Sequence, residues 1–480
     1  MGAAVKKTAA LLIKGELCMT DYQLLIIGGG PGGYEAALHA VELGMQVALV
    51  ERRDIGGTCL NRGCVPTKTL LHSSELYASA EKAPMLGADL SNRRPDMERI
   101  FARKAEVSKT LRDGVTALME GEGITILRGS AMLTKDGHTV RITNESGVQE
   151  VTAQSVMIAT GSKPACPPIP GLDLEGVLTS DDLLDGSVRE FDSIVVIGGG
   201  VIGVELATFY CELGCQVTVL EGLSHLLPPL DKELGQNLAA ILKKKGVKVV
   251  TGAMVSEVVR EGDGLRVNYT LRDKAESVST KVVLSAIGRA PETAGLLDEG
   301  LALEMDRRRI RVNDRYETSL PGVYAVGDVS ARIQLAHMAA AQGRHCVELL
   351  AGVDSGRNMN VVPSCVYCAL EIASVGMTLE EAAAAGLDAI SAKYVMFANA
   401  RTLIAEAPRS FMKVVVEKGS HRILGAQLMC ERGGDIIGEF TDAVVNGFTV
   451  EQMLRSIRPH PSFEEGVQEA LLAAQKKLSE

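Results

Sequence analysis

The sequence predicts a mixed α/β protein in which one strand–helix–strand unit occurs twice and a further α/β region follows towards the C-terminal end. Residues 21–51 and 191–221 align without a gap at an offset of 170. Each segment carries a glycine-rich turn between an apolar strand and a helical stretch, a pattern typical of parallel sheets. After about Val362, alternating strands and a long helical stretch indicate a separate domain.

The repeated unit is visible in the letters themselves. Residues 21–51 read DYQLLIIGGGPGGYEAALHAVELGMQVALVE, and residues 191–221 read FDSIVVIGGGVIGVELATFYCELGCQVTVLE. Both contain an apolar strand, a GxGxxG turn, a helical stretch that ends in ELG, a second strand and a final Glu. Gly44 and Gly214 are expected where the two helices end, because a left-handed backbone there suits glycine.

Each repeat predicts a Rossmann-like dinucleotide site. Such glycines let the backbone approach a pyrophosphate at the positive end of a helix. Glu51 and Glu221 are expected to bind adenosine ribose hydroxyls. Because a carboxylate repels the 2′-phosphate of NADP, Glu221 favours NAD as the second ligand. The glycines concerned are Gly28, Gly30 and Gly33 in the first turn and Gly198, Gly200 and Gly203 in the second.

Composition excludes several classes of protein. The chain has 480 residues, enough for two to four domains, and a net charge of −10. That charge argues against a nucleic-acid binder, which needs clustered Lys and Arg. No apolar run is long enough to span a bilayer. Residues 1–20 are expected to be a non-essential tail with Met19 as a possible alternative start, and the protein is expected in the cytoplasm.

The cysteines raise a separate question. Cys59 and Cys64 lie in GGTCLNRGC with four residues between them, and they could be packing thiols, metal ligands or a redox pair. The two cysteines are expected at the start of a helix, whose N-terminus lowers the pKa of a thiol. A disulfide in a reducing cytosol is usually catalytic or redox-sensing. The redox interpretation is therefore favoured. The ten cysteines stand at positions 18, 59, 64, 166, 211, 215, 346, 365, 368 and 430.

Longer motifs give a specific resemblance. They are GGTCLNRGCVPTK (56–68), IATGSKP (158–164), AIGRAPET (286–293), AVGDV (325–329) and HPSFEE (460–465). With the two glycine turns, they make the chain similar to the flavoprotein disulfide reductases over nearly its whole length after the tail. LAHMAAAQG (335–343), ANAR (398–401) and RILGAQL (422–428) look most like the dihydrolipoamide dehydrogenase branch.

The resemblance implies a domain order and a set of cofactors. It assigns residues 21–165 to an FAD-binding domain, 166–290 to an NAD-binding domain, 291–361 to a central domain that completes the FAD site, and 362–480 to a dimerisation domain. The protein would then be a homodimer that uses FAD and NAD and has no metal site. Asp328 would contact the flavin side of FAD, and Glu51 its adenosine ribose. The remaining cofactor-binding candidates are Thr58, Lys68, Gly129, Thr160, Gly161, Ala336 and Gly288.

The resemblance also implies catalytic roles. Cys59 and Cys64 would form the redox disulfide, with Cys59 facing the substrate and Cys64 facing the flavin. Lys68 would lie near the flavin ring and pair with Glu205. An acid/base histidine would come from the partner subunit.

That histidine is His460, and its chemistry suits the task. It can take a proton from a dithiol near neutral pH and return it. Glu465 would fix its tautomer and stabilise the imidazolium. Ser462 replaces the threonine that usually follows this histidine and proline in the family.

Two further cysteine-related features need an interpretation. Arg62, between Cys59 and Cys64, is hypothesised to stabilise a thiolate. Cys365 and Cys368 form a CxxC that is unusual for the family. A zinc site would need two more ligands, so buried thiols are favoured, with an auxiliary redox pair as the alternative.

The resemblance implies the reaction of dihydrolipoamide with NAD to give lipoamide and NADH. The partner would be a lipoyl-bearing protein of a 2-oxoacid dehydrogenase or glycine cleavage system. One alternative is an NADH-dependent reductase of another disulfide, a persulfide or a metal ion. Another is a structural subunit that docks to a multienzyme complex. The C-terminal LLAAQKKLSE has no cysteine pair, which disfavours thioredoxin and mercuric reductases, and Glu221 disfavours glutathione reductase.

Overall fold

The computed structural model describes residues 20–85, 87, 88, 90, 94–186, 189–407 and 409–480. The predicted tail, apart from Thr20, lies outside the described residues, and so do Met19 and Cys18. The chain divides into two compact units. The first consists of the described residues up to Pro66 with residues 101–165 and 289–359, and the second of residues 67–100, 166–288 and 360–480.

The first unit is built on a seven-stranded sheet in the order β3-β2-β1-β6-β5-β4, with β19 paired to β6. Strands β1, β2, β3, β6 and β19 run parallel to their neighbours, while β4, β5 and the first half of β6 form an antiparallel meander. These strands are β1 (Tyr22–Ile27), β2 (Val47–Glu51), β3 (Thr125–Arg128), β4 (Ser130–Leu133), β5 (Thr139–Asn144), β6 (Gly147–Ile158) and β19 (Val323–Ala325).

Strand β6 belongs to both halves of this sheet. Its first half pairs with β5 between Gly147 and Thr152, and its second half pairs with β1 from Ala153 to Ile158. On the other edge of this second half, Val323–Ala325 of β19 pairs with residues 156–158 of β6. The segment 322–343 thus returns to the first sheet, as its strand, Gly-Asp turn and helix suggest.

Helices cover one face of the first sheet. Leu24 and Ile26 of β1 are fully buried and pack with Ala36 and Ala40 of helix α1 (Pro31–Glu42) and with Val347 of helix α8 (Ala336–Leu350). The next residue along β1, Leu25, faces a second apolar cluster on the other side, as strand alternation requires. Burying each such Leu or Ile contributes about 1.5–3 kcal/mol.

The helices begin and end near the predicted positions. Gly44 and Gly214 follow the C-caps of α1 and α6 with φ of +85° and +91°, so both predictions are confirmed. The helices are α1 (Pro31–Glu42), α2 (Gly57–Arg62), α3 (Cys64–Ser79), α4 (Met97–Gly121), α5 (Ser180–Asp185), α6 (Val201–Glu212), α7 (Lys232–Lys244), α8 (Ala336–Leu350), α9 (Leu379–Ala384), α10 (Ala400–Ala405), α11 (Gly433–Asn446), α12 (Val450–Met453) and α13 (Glu465–Ser479). None of the helices in the described ranges is both long and apolar enough to cross a membrane.

The second unit contains a parallel sheet in the order β11-β10-β9-β15-β8. An antiparallel three-stranded sheet, β12-β13-β14, follows β11 in the chain. These strands are β8 (Val177–Thr179), β9 (Ser193–Ile197), β10 (Gln216–Glu221), β11 (Lys248–Thr251), β12 (Ala253–Glu261), β13 (Gly264–Leu271), β14 (Lys274–Thr280) and β15 (Val282–Ser285). Short ribbons in the first unit are β7 (Ser162–Pro164) with β16 (Arg289–Pro291) and β17 (Met305–Asp306) with β18 (Arg309–Ile310).

The C-terminal region adds an antiparallel sheet to the second unit, in the order β20-β21-β24-β23-β22. Its strands are β20 (Ser364–Val366), β21 (Ile372–Gly376), β22 (Ala389–Val395), β23 (Phe411–Glu417) and β24 (Ile423–Met429). Helices α11 and α13 pack on it through Phe440, Val467 and Leu471. Within this unit, Lys413 of β23 binds Asp231 at 2.6 Å and Glu233 at 3.0 Å, which ties the sheet to the start of α7.

Candidate active site

The first glycine turn has the geometry of a phosphate cradle. Gly28 has φ of +112°, and a Cβ on it would stand 2.4 Å from the Ala159 carbonyl oxygen. A Cβ on Gly33 would stand 1.8 Å from the Gly28 oxygen, so both positions require glycine for the fold. Gly30 is different, because its φ is −73° and the nearest atom to a Cβ would be 3.9 Å away. The open space at the start of α1 therefore fits a pyrophosphate rather than the protein's own packing.

The second turn reproduces this geometry. Gly198 has φ of +107°, and a Cβ on it would stand 2.5 Å from the Ala286 oxygen. A Cβ on Gly203 would stand 2.0 Å from the Gly198 oxygen, whereas one on Gly200 would meet nothing within 4 Å. The chain thus carries two cradles of the same construction, each at the start of a twelve-residue helix.

The two acidic residues are held by equivalent pairs of backbone donors. Glu51 is buried and accepts the N–H groups of Gly29 and Arg53, both at 2.7 Å. Glu221 is buried and accepts those of Gly199 at 2.6 Å and Leu223 at 2.7 Å. Each carboxylate oxygen keeps a lone pair that can accept a ribose hydroxyl. No Lys or Arg occurs between Glu221 and Lys232, so nothing in that stretch would neutralise a 2′-phosphate.

Asp328 is positioned by side chains that the sequence alone did not single out. It lies on a short 3₁₀ turn, Gly327–Val329, and its carboxylate accepts the Ser162 hydroxyl at 2.6 Å. Arg289 donates from Nε to that hydroxyl oxygen at 2.8 Å and from Nη2 to the Ser162 carbonyl at 2.7 Å. Burial raises the pKa of Asp328, while Ser162 and Arg289 act in the opposite direction. Ser162 and Arg289 lie in IATGSKP and AIGRAPET, two motifs that carry the resemblance, so the sequence did contain a signal for both residues.

The other cofactor-binding candidates of the first unit lie at turns and element ends. The Thr160 hydroxyl donates to the Glu292 carbonyl at 2.6 Å, and Gly161 has φ of +71°. Gly129 follows β3 with φ of +150° and donates its N–H to the Glu51 carbonyl at 3.1 Å. Ala336 is the first residue of α8, and Thr58 lies in α2. In the second unit, Gly288 has φ of +103°.

The cysteine segment packs against the first glycine turn. Gly56 donates its N–H to the Gly29 carbonyl at 2.8 Å, and a Cβ on Gly57 would stand 2.6 Å from the Gly30 Cα. Only glycine at position 57 allows the two backbones to approach so closely. The glycine pair before Cys59 therefore brings the cysteine segment to the cradle.

The two cysteines lie in separate helices. The expectation of one helix that starts at the pair is wrong, because Cys59 lies inside the six-residue α2 and only Cys64 begins α3. Gly63 lies between the two helices with φ of −150° and ψ of −111°, which are not helical values, so it separates them. Burial raises the pKa of Tyr34 to about 12, and the charges of Glu35, Cys59 and Cys64 add to the shift. Tyr34, which the sequence did not indicate, is thus within electrostatic reach of both cysteines.

Arg62 has a partner of its own. Its Nη1 atom lies 3.0 Å from Asp54 Oδ2, and Asp54 also faces Arg112 at 3.4 Å. The hypothesis that Arg62 stabilises a thiolate is weakened, because a carboxylate shares its positive charge.

An ion pair with a buried carboxylate lies in the second unit. Lys68 Nζ lies 2.9 and 2.8 Å from the two oxygens of Glu205, a residue that is only 2% exposed. The backbone N–H of Tyr367 donates to Glu205 at 2.9 Å, and Lys68 Nζ stands 5.0 Å from the centre of the Tyr367 ring. Burial raises the pKa of Glu205, while Lys68 and the Tyr367 N–H act in the opposite direction. Tyr367 is a further residue that no sequence motif indicated.

His460 and Glu465 form a hydrogen-bonded pair at the start of α13. His460 Nδ1 lies 2.8 Å from Glu465 Oε1, and Ser462 donates its N–H to Glu465 Oε2 at 2.9 Å. The Ser462 N–H and then His460 hold the pKa of Glu465 below its usual value. The imidazole is 73% exposed, so Nε2 is accessible for proton exchange.

The CxxC cysteines lie beside the Lys68–Glu205 pair. Burial raises the pKa of Cys365 to about 11 and that of Cys368 to about 12, with the nearby Glu371 adding to both shifts. Both are then neutral thiols at pH 7, which supports the interpretation as packing groups. Among the described residues, no three or more His, Cys, Asp or Glu side chains form a group that could hold a metal ion.

Two family models cover most of the chain. Residues 22–343 match the pyridine nucleotide-disulphide oxidoreductase model, and residues 362–471 match the dimerisation domain of the same family. The chain belongs to this family. It is therefore an oxidoreductase and a flavoprotein with FAD and NAD as cofactors, and the dimerisation domain indicates a homodimer. The predicted fold class is confirmed.

Individual relatives and solved structures are similar to this chain over most of its length. A dihydrolipoyl dehydrogenase of Geobacillus stearothermophilus is 36% identical over 458 residues, covering 94% of this chain and 95% of the relative. One from Bacillus subtilis is 35% identical over 450 residues, covering 93% and 95%. LpdA of Mycobacterium tuberculosis superposes with a TM-score of 0.86 at 28% identity, covering 94% of this chain and 99% of that one. The Cu(II) complex of the HOCl-induced flavoprotein disulfide reductase RclA from Escherichia coli gives 0.83 at 29%, covering 95% and 99%.

Proposed function

We propose that this protein oxidises dihydrolipoyl groups to lipoyl groups and reduces NAD to NADH. The observation that carries the proposal is the His460–Glu465 hydrogen bond, since oxidation of a dithiol requires a group that accepts its protons. The similarity to dihydrolipoyl dehydrogenases over more than nine-tenths of the chain supports this substrate class. The lipoyl group would be carried by a protein of a 2-oxoacid dehydrogenase or glycine cleavage system, in the cytoplasm.

The reaction begins with thiol–disulfide exchange. A substrate thiolate attacks Cys59 of a Cys59–Cys64 disulfide, and Cys64 leaves as a thiolate. The second substrate thiol then displaces Cys59, which gives the lipoyl disulfide and the reduced cysteine pair. Two electrons have moved from the substrate to the protein, and no atom other than hydrogen has been transferred.

His460 of the partner subunit takes the proton from the attacking thiol. Glu465, whose pKa lies below its usual value, remains ionised at neutral pH and stabilises the imidazolium. With Nδ1 facing Glu465, Nε2 is the atom that exchanges the proton. The pair therefore converts a thiol into the thiolate that the exchange requires.

The cofactors would be held by the groups already described. Gly28, Gly30 and Gly33 with Glu51 would hold FAD, and the second turn with Glu221 would hold NAD. The domain boundaries would be those that the sequence predicts. When bound, FAD would supply the electron transfer between the cysteine pair and NAD. The Lys68 ammonium would place a positive charge near the flavin, and Glu205 would fix its position.

Initial rates test the proposal. NAD reduction by dihydrolipoamide is measured with the holoenzyme, and NADP and reduced glutathione replace NAD and dihydrolipoamide in the controls. We expect fast turnover with the combination of dihydrolipoamide and NAD, and not with either control. A flavin that NADH reduces, with no dihydrolipoamide turnover, would show that the disulfide serves another substrate.

A second candidate is an NADH-dependent reductase of another disulfide or of a metal ion. The similarity to the RclA structure, which was solved as a Cu(II) complex, favours this alternative. It predicts that Cu(II) increases NADH oxidation by the protein and that replacing Cys59 with Ser abolishes the increase. If dihydrolipoamide and NAD turn over at least a hundredfold faster than NADH and Cu(II), the alternative is wrong.

A further inference from the structure

The segment that carries His460 has no regular secondary structure. It runs from Leu454 to Glu464, between α12 and α13. Its Ile457 side chain is 98% exposed and the His460 side chain 73% exposed. A displacement of about 1 Å at a reacting group can cost a factor of about a hundred in rate, so an acid/base on such a segment needs support from elsewhere.

Asn399 supports the segment after His460. Its Nδ2 atom donates to the Ser462 carbonyl at 3.0 Å, and its Oδ1 atom accepts the Thr402 N–H at 2.9 Å and the Thr402 hydroxyl at 3.0 Å. The residue is 6% exposed and is also the N-cap of α10. Since Glu465 binds the Ser462 N–H, both backbone polar groups of Ser462 are fixed.

Arg458 supports the segment before His460. Its side chain is 4% exposed and forms an ion pair with Glu439 of α11. Its Nη1 atom also donates to the Ser456 carbonyl at 3.4 Å. Withdrawing a buried guanidinium from its carboxylate is costly, so this ion pair resists displacement of the chain two residues before His460.

We propose that Asn399 and Arg458 are positioning residues for His460. They hold the segment from its two sides, through α10 and α11, and so keep Nε2 of the imidazole in place for the substrate thiol. The proposal rests on the acid/base role of His460 in the proposed function. Neither side chain exchanges a proton itself, since Asn399 is an amide and Arg458 stays charged.

Asn399 can be tested without removing the helix cap. Asn399→Ser keeps an N-cap residue but is too short to reach the Ser462 carbonyl, and Asn399→Asp keeps the cap but replaces the donor with an acceptor. Both variants should slow reduction of the holoenzyme by dihydrolipoamide about tenfold to a hundredfold in rapid-mixing experiments. NADH oxidation by ferricyanide, which needs no acid/base histidine, should stay within about twofold. Thr378→Ala, which removes the cap of α9 in the same domain, is the control and should slow neither step.

Arg458 is tested together with its carboxylate. Arg458→Met and Glu439→Gln should each slow the dithiol step in the same way, and the double variant should be no slower than Arg458→Met, because the two residues act as one pair. Hydrogen exchange of residues 456–463 should become faster in every slowed variant. Equal losses in the dithiol and ferricyanide reactions would show a merely structural role and overturn the proposal.

Dithiothreitol separates this inference from the substrate proposal. It is a dithiol without a lipoyl chain, and the same variants should slow its reaction by the same factor. If dithiothreitol reduces the wild-type protein and dihydrolipoamide does not, the proposed substrate is wrong. The positioning role can then still be measured with dithiothreitol. Variants that react at the wild-type rate with dithiothreitol would overturn the positioning role.

Discussion

Glu51 and Glu221 occupy equivalent positions in the two repeats, and their carboxylates make equivalent contacts. Glu51 accepts the N–H groups of Gly29 and Arg53, and Glu221 accepts those of Gly199 and Leu223, all at 2.6–2.7 Å. These bonds orient the carboxylate before any ligand arrives. A rigid negative charge at this point opposes an additional phosphate on the ribose.

Exchange of Glu221 should change the choice of nicotinamide cofactor. Glu221→Gln keeps one oxygen acceptor but removes the charge, so the preference for NAD over NADP in kcat/KM should fall roughly tenfold, equivalent to about 1.4 kcal/mol. Glu51→Gln is the matched control, because it makes the same change in the first repeat. It should weaken retention of flavin, measured by absorbance after gel filtration, and leave the preference for NAD unchanged. An unaltered preference in Glu221→Gln would contradict this role for the charge.

The glycine turns and their acidic residues were predictable from the sequence, whereas the contacts that support the other site residues were not. Glycines, Glu51 and Glu221 follow from a pattern within about thirty residues of chain. Ser162 and Asn399 act on groups that are 166 and 63 residues away, and only the fold brings them together. Tyr367 acts through its backbone N–H, which every residue except proline carries, so its identity gave no signal.

At the scale of elements, the Lys68–Glu205 pair joins three parts of the second unit. Lys68 lies on α3, Glu205 on α6 and Tyr367 just after β20. Because Glu205 is almost fully buried, its carboxylate depends on these two partners for its polar contacts. The pair therefore links the glycine-turn helix to the C-terminal sheet as well as to α3.

Removal of Lys68 should make stability depend on pH. Burial raises the pKa of Glu205, so the folded state binds its proton more tightly than the unfolded state, and stability falls as pH rises above the ordinary carboxyl value of about 4.3. Lys68 opposes this effect. Lys68→Met should therefore lose about 3 kcal/mol at pH 8 and clearly less at pH 5, measured by urea unfolding.

The double variant Lys68→Met/Glu205→Gln supplies the comparison. It has no carboxyl group at this position, so the position can add no pH dependence to its stability between pH 5 and pH 8. If the single variant also showed no difference between pH 5 and pH 8, the unpaired carboxylate would not be the cause of its instability.

At the scale of the whole molecule, the two glycine turns share one geometry. The helices of the two turns have equal length, and their N-cap glycines have φ of −73° and −74°. The same residue change can thus be made at both sites, with a different ligand as the readout. This symmetry provides an internal control that a single site lacks.

The glycines at the two N-caps should separate the cofactors. A Cβ at Gly30 or Gly200 has room in the protein but would occupy space that fits a pyrophosphate. Gly30→Ala should yield folded protein that is mostly free of flavin, and Gly200→Ala should retain flavin but raise the KM for NAD at least tenfold. Absorbance spectra and steady-state rates measure the two effects, and circular dichroism checks the fold. Loss of flavin from both variants, or from neither, would show that the turns are not separate dinucleotide sites.

The late pairing of β19 with β6 has a consequence for synthesis on the ribosome. The edge of β6 at Val156–Ile158 receives its neighbour only when Val323 and the following residues have emerged. At about 5–20 residues per second, the intervening chain takes on the order of ten seconds or more to make. The parallel sheet that ends with β15 is complete before then, so a middle part of the nascent chain can fold before the first part is finished. During that interval an apolar strand edge stays open, and it is there that a chaperone would protect the growing polypeptide from aggregation.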